Sequence, residues 1–298
     1  MFSEAIHSIV DTLNQALLLV GLTRSLKKAD DSFEYGYGNE RFFWALISAC
    51  GIFFVGAGVT AYSAIDSLLH PHEVAFSPIL IAVLLFAFAV EFYTFRVAAK
   101  ALKKSFPESG WRERLSLADP MTLAVYLEDA VAVFGVLIAA LSLGISYYTG
   151  NVVWDALGSL VIAVLLGFVA LVLIIKNRSY LIGHSIPEKL QEQVIKLLEA
   201  DPAIEKVIDF KSTVLGWRVY RIKCEVEFNG GALLRAASGR RSMQEQFDDV
   251  REDSEEFKRF LANYADRIPR LMGRKIDEIE KRIRERYPSI RHIDIEVN

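Results

Sequence analysis

Residues 121–146 read MTLAVYLEDAVAVFGVLIAALSLGIS. The run carries no charge except the adjacent acids Glu128 and Asp129. It is longer than the roughly 20 mostly apolar residues that cross a bilayer as a helix. That decides the fold class: an α-helical transmembrane bundle. Four further segments share its character, at about Ser3–Gly21, Phe42–Leu69, Pro78–Leu102 and Val152–Ile175. His7, Asp11, Asn14 and Gln15 interrupt Ser3–Gly21, and an amphipathic surface helix is the alternative reading there. Five spans are expected.

Charge is spread unevenly around these spans. Residues 1–180 hold 27 Asp, Glu, Lys and Arg, whereas the remaining 118 residues hold 44. The chain is therefore read as a transmembrane domain over 1–180 and a soluble domain over 181–298. Composition excludes several classes. The two cysteines, Cys50 and Cys224, are too few for a disulfide scaffold, a CxxC site or a thiolate zinc site. A net charge of −3 gives no electrostatic case for nucleic acid. No basic n-region or Arg-rich transit segment is read at the start, so a bacterial plasma membrane is the expected location.

The loops set the orientation. Arg24, Lys27, Lys28 and Arg41 lie between the first two spans, and Lys103, Lys104, Arg112 and Arg114 between the third and fourth. Lys176 and Arg178 follow the last span, whereas residues 70–77 and 147–151 contain no Lys or Arg. The positive-inside rule places the basic loops and the C-terminal domain in the cytoplasm. The alternation requires Ser3–Gly21 to span, which puts the N-terminus outside.

Ionisable residues at bilayer depth are costly and therefore functional candidates. His7 and Asp11, four apart, share a helix face. Glu128 and Asp129 lie in the fourth span, Asp155 one turn into the fifth, and Glu91 within the third. Arg96 lies near the cytoplasmic end of its helix, where it can snorkel. Acids at this depth call for a cation as counter-charge. Imidazole with carboxylates suits Zn²⁺, and also Mn²⁺, Fe²⁺ or Co²⁺. His7, Asp11 and Asp129 are the expected ligands. Glu128, turned about 100° from Asp129 around the helix, is either a further ligand or a polar contact to another span. Asp155 is a helix cap, a helix contact or a proton relay, and Glu91 a buried hydrogen-bonding partner or a relay.

These motifs resemble those of the cation diffusion facilitator family. Residues 3–11, SEAIHSIVD, followed by TLNQ, resemble the family's second transmembrane helix. Residues 36–44, GYGNERFFW, look like the opening of its third. Leu127-Glu-Asp-Ala130 resembles its fifth, and Gly150-Asn151 with Asp155 and Ser159 its sixth. Residues 291–297, RHIDIEV, are similar to its last cytoplasmic strand. The match is closest to the branch that includes the mitochondrial zinc transporter of animals. The resemblance implies a homodimeric metal/proton antiporter with six spans and a cytoplasmic ferredoxin-like domain, so the family's first helix is expected to be missing from this chain. It also implies a transport site of two residue pairs, each four apart. His7 and Asp11 match the first pair. In the second, only Asp129 matches, because Val125 stands where a His is usual. In the loop before Gly36, Phe33 occupies the place of a metal-binding His, so no second site is expected there.

In the C-terminal half, Glu188–Ala200 has helical periodicity, and Ile204–Leu215 and Trp217–Asn229 read as strands turning at Gly216. A long amphipathic helix, about Ala262–Arg286, and a strand, Ile290–Val297, follow. This α-β-β-α-β order suits a small α+β, ferredoxin-like sheet. Between them lies a polar, acidic insert at about residues 230–261, read as a solvated or partly disordered helix, with a metal-sensing surface as the alternative. His292 shares a strand face with Asp294 and Glu296, a candidate cytoplasmic metal position short of the four ligands of structural zinc.

The expected function is proton-coupled export of a divalent cation, zinc first and manganese, iron or cobalt as alternatives. An unperturbed imidazole changes charge near neutral pH, which makes a histidine at position 7 suited to an exchange of proton for metal. A non-transporting membrane subunit or metal sensor is the competing reading, motivated by Val125 and by the expected absence of the family's first helix. With no nucleophile–base pair or cofactor motif, no enzyme is expected.

Overall fold

The computed structural model describes residues 2–70, 78–105, 107, 110–239 and 242–298, with the side chains of 2–11, 78–81 and 116 left out of the description. The chain divides into two compact units, Met1–Ile182 and Gly183–Asn298.

The first unit is helical. α1 covers Phe2–Ser25. α2 (Glu40–Gly51), a π-helical stretch (Ile52–Ala57) and α3 (Gly58–Leu69) form one continuous span, Glu40–Leu69. α4 (Pro78–Ser105), α6 (Pro120–Thr149) and α7 (Val153–Ile182) are the other long apolar helices. Four helices among the described residues are thus long and apolar enough to cross a membrane; α1, whose first ten residues lie outside that search, is the fifth span expected from the sequence. α7 continues about two turns past the expected Ile175, because Lys176 and Asn177 are accommodated by bonds to carbonyls of Leu115 and Leu173. The basic loop before α6 also contains a short helix, α5 (Trp111–Leu117), which the sequence reading leaves as loop.

Small residues let these helices approach closely. Ala45, Ala49, Ala124 and Ala170 are buried, and Gly158 on α7 faces Ser142 on α6 with no room for a methyl group. Large apolar side chains point outward: Leu85, Phe86, Val164 and Phe168 are each at least 65% exposed. A surface of that kind is matched to acyl chains rather than water. Pro120 starts α6, where its missing N–H is harmless, and Gly150 closes it at φ 66°, a left-handed cap.

The second unit is α+β. α8 (Glu188–Glu199), β1 (Ile204–Gly216), β2 (Val219–Phe228), α9 (Gly230–Ser238), α10 (Met243–Val250), α11 (Ser254–Arg286) and β3 (Ile290–Val297) follow in order. β1 pairs antiparallel with β2, and β2 pairs parallel with β3. Val194 and Leu198 of α8 and Ile279 and Ile283 of α11 join Ile222, Cys224, Val226, Ile293 and Ile295 in one core. The strand residues that alternate with these carry charge. Arg221 bonds Asp294 at 2.7 Å, and Lys223 bonds Glu296 at 2.7 Å.

Two expectations change here. The hairpin turns at Trp217–Arg218 rather than at Gly216, which still pairs with Val219, and Arg218 takes the positive φ of 57°. The long helix starts at Ser254, not Ala262, because Asp253 accepts from the N–H groups of Glu255 and Glu256. The insert before it is helical, as expected, and divides into α9, α10 and the first turns of α11. Asn229 caps α9, and Ser242 with Glu245 makes a reciprocal capping box on α10. Its acids pair locally: Asp248 with Arg251, and Glu255 with Lys258.

Candidate functional site

α6 carries Glu128 and Asp129 about two turns past its N-terminus. Both residues are partly buried, and Glu128 Oε1 and Asp129 Oδ2 are sealed from the surface. Glu128 accepts a hydrogen bond from the amide of Asn14 on α1, across a sequence separation of 114. Asn14 is 4% exposed. This contact joins α1 to α6 at the two acids.

His7 and Asp11 lie in α1, but their side chains fall outside the described residues. Their helical positions are informative. Asn14 follows Asp11 by three residues and His7 by seven, so the three positions share one face of α1. Among the described residues, no three His, Cys, Asp or Glu side chains form a metal-holding group, a search that does not include His7 and Asp11. Val125, one turn before Asp129, is 37% exposed. Glu91 is partly buried in α4. Asp155 lies in the first turn of α7, but Asn151 is the residue that bonds Val153 N–H at the start of that helix, which corrects the capping reading of Asp155.

A second charged cluster sits where α6 begins. Arg41 Nη2 donates to Asp119 Oδ2 at 2.6 Å, with both side chains nearly inaccessible. Lys176 on α7 donates to the Leu115 carbonyl at 2.7 Å and lies within electrostatic range of Asp119. Asp119 immediately precedes Pro120, so this pair ties α2 to the start of the helix bearing Glu128 and Asp129. The sequence reading placed Arg41 in a basic loop and did not find the pair. The one available signal was an acid directly before a helix-opening Pro.

The loop between α1 and α2 is also built. Lys27 bonds Asp30 at 2.8 Å and the Tyr37 hydroxyl at 2.7 Å, and that hydroxyl donates to Asp30 at 2.7 Å. The bonds from Lys27 and Tyr37 bring Asp30 down to a pKa of about 2. Phe33 packs on Tyr37 at 4.6 Å. Lys27 thus pairs with Asp30, one of the acids of this loop.

In the second unit, His292 lies beside Asp294 and Glu296, both already paired with cations. Burial and the nearby Arg221 lower its pKa. Sequence reading also missed a cavity of about 260 Å³ among α9, α10 and α11, bordered by Gln246, Phe260, Tyr264 and Arg267.

Comparison with known proteins agrees with this architecture. The cation efflux transmembrane domain matches residues 1–182. The mouse and human proteins named proton-coupled zinc antiporter SLC30A9, mitochondrial, are each 36% identical over 302 residues, covering all of this chain and 53% of theirs. Metal tolerance protein C4 of Arabidopsis thaliana is 34% identical over 310 residues, covering all of this chain and 67% of its own length. The chain therefore spans about half the length of the vertebrate relatives. With apolar helices of spanning length, a following three-stranded α+β unit and a family match over more than half its residues, the chain belongs to the cation efflux family.

Proposed function

We propose that the chain exports a divalent metal cation, Zn²⁺ first, in exchange for protons. The observation that carries this reading is the placement of Glu128 and Asp129, partly buried in a spanning helix and joined through Asn14 to the helix that bears His7 and Asp11. His7, Asp11 and Asp129 hold the cation, and Glu128 borders it. Acids at that depth need a positive partner, and a proton or a metal can each serve. Competition between the two for the same atoms is antiport in chemical terms. The names of the vertebrate relatives, which specify zinc and proton coupling, support the same reading.

Residues 1–182 are then the transport domain and 183–298 the cytoplasmic domain, with basic loops inside and a homodimer as the working unit. The spanning helices and the family match make it an integral membrane protein. The chemistry is transport, not enzymatic turnover.

The test is metal uptake into inverted vesicles under an imposed proton gradient. Wild type is expected to accumulate Zn²⁺, and Asp11→Ala and Asp129→Ala to lose accumulation. Undiminished flux in both variants refutes the site. Val125, in the place of a ligand and 37% exposed, favours one other reading, a non-transporting subunit. That reading requires dimerisation without flux in the wild type.

A further inference from the structure

We propose that Asn14 is itself a ligand of the transported cation, through Oδ1, and that it sets the metal preference of the chain. This deepens the transport reading above and rests on it. The decisive observation is the state of the Asn14 amide. Its side chain is buried, and its Nδ2 donates to Glu128. The amide thus presents its NH₂ to Glu128 and turns its oxygen elsewhere. That oxygen is buried and has no hydrogen-bond partner among the described residues. A carbonyl oxygen inside a membrane protein needs an electropositive partner, since lipid supplies no donor.

Position identifies the partner. Asp11 lies one turn before Asn14, and His7 two turns before, on the same face of α1. Glu128, held by the amide nitrogen, is the neighbour of Asp129 on α6. The amide therefore follows the α1 positions of the proposed ligands by one and two turns and touches the neighbour of Asp129, with its nitrogen committed to Glu128 and its oxygen available. A divalent cation supplies what Oδ1 lacks. Val125 cannot ligate, and Asn14 restores a fourth protein donor beside His7, Asp11 and Asp129.

The donor set then has one imidazole and three oxygens. Carbonyl and carboxylate oxygens suit harder ions such as Mn²⁺, whereas imidazole favours Zn²⁺. Asn14 accordingly moves the site toward the harder end, relative to one with a second imidazole. A purely structural Asn14 would tie α1 to α6 without influencing the choice of ion.

The experiment measures Zn²⁺ and Mn²⁺ binding, each metal alone, to the purified full chain in detergent. Wild type, Asn14→His, Asn14→Leu and Asp129→Asn are compared, with the thermal midpoint of each metal-free protein recorded alongside. Asn14→His is expected to raise the Zn²⁺:Mn²⁺ affinity ratio about tenfold or more, and Asn14→Leu to weaken both metals by a similar factor. Where Asn14→Leu fails to fold, Asn14→His carries the decision. A folded Asn14→His protein with the wild-type ratio overturns the inference. If Asp129→Asn loses binding in that same experiment, the transport site stands and the role of Asn14 alone has failed. If Asp129→Asn binds as wild type does, the site reading itself fails, and this inference with it.

Discussion

Replacing Asp119 by Asn tests whether the buried pair with Arg41 fixes the start of α6. The side chains of Arg41 and Asp119 are 11% and 5% exposed and meet at 2.6 Å. Breaking such a buried pair from one side costs about 3–5 kcal/mol, because the remaining charge is left without a counter-charge. The surroundings make the two sides unequal. Lys176 also lies within electrostatic range of Asp119, so Asp119→Asn removes the acid that both cations interact with. Arg41→Met instead leaves Asp119 with Lys176 as its remaining counter-charge. Asp119→Asn is therefore expected at the upper end of the range and Arg41→Met at the lower. At about 2–4 °C per kcal/mol for a unit of this size, the midpoints fall by about 6–20 °C. Thermal unfolding in detergent, followed by tryptophan fluorescence, reads this directly, since Trp44 and Trp111 both lie in this unit. The double variant, Arg41→Met with Asp119→Leu, should recover much of the loss, because removing both charges removes the unpaired one. The reasoning is refuted if Arg41→Met costs as much as Asp119→Asn, or if both cost under about 1 kcal/mol.

Three further outcomes follow from single positions. A Cβ at Gly158 would meet Ser142 Cβ at 2.5 Å, so Gly158→Ala should destabilise the α6–α7 contact by about 1–3 kcal/mol, and Ser142→Gly should restore the melting temperature. Burial, with Glu280 and Asp294 nearby, raises the Cys224 thiol to about 12, so a maleimide should leave Cys224 unlabelled at neutral pH until denaturant is added. His292 has a lowered pKa, chiefly from burial and then from Arg221. The unfolded chain therefore takes up its proton first, and folded-state stability falls as pH drops below about 6.5, levelling off beneath the folded pKa. Denaturant titrations of wild type and His292→Gln at pH 7.5 and 5.5 should show a smaller loss in the variant, and equal losses would contradict the assignment.

The division between what the sequence revealed and what it hid follows sequence distance. A spanning helix is a local property of consecutive residues, so Phe42–Leu69 and Met121–Ser146 could be read within a few residues of their ends. Strand order in the second unit was equally local, apart from the turn, where Gly216 drew attention one step too early. The acidic insert could be read as a solvated helix from its composition, but not its division into separate helices, which Asp253 and Glu245 set as caps, a role that depends on position rather than on charge count. Arg41 and Asp119, 78 residues apart, could not be paired from either local pattern.

Asn14 shows a different kind of blindness. Depth arguments rank intramembrane residues by the cost of burying charge, so they select His7, Asp11, Glu128 and Asp129 and pass over a neutral amide. Yet an amide has one quality that a carboxylate lacks: it presents a donor and an acceptor in opposite directions. In a bundle with adjacent acids, that polarity orients the group without help from water. Once Glu128 occupies the Nδ2 of Asn14, the oxygen has its direction fixed by elimination, and it lies buried in a helix with an acid one turn away. A sequence scan that scored buried neutral amides at three or four residues from an acid would have raised Asn14 beside Asp11. Such a scan rests on the same physics as the charge rule, because a membrane interior penalises any unsatisfied polar atom and not only the ionised ones.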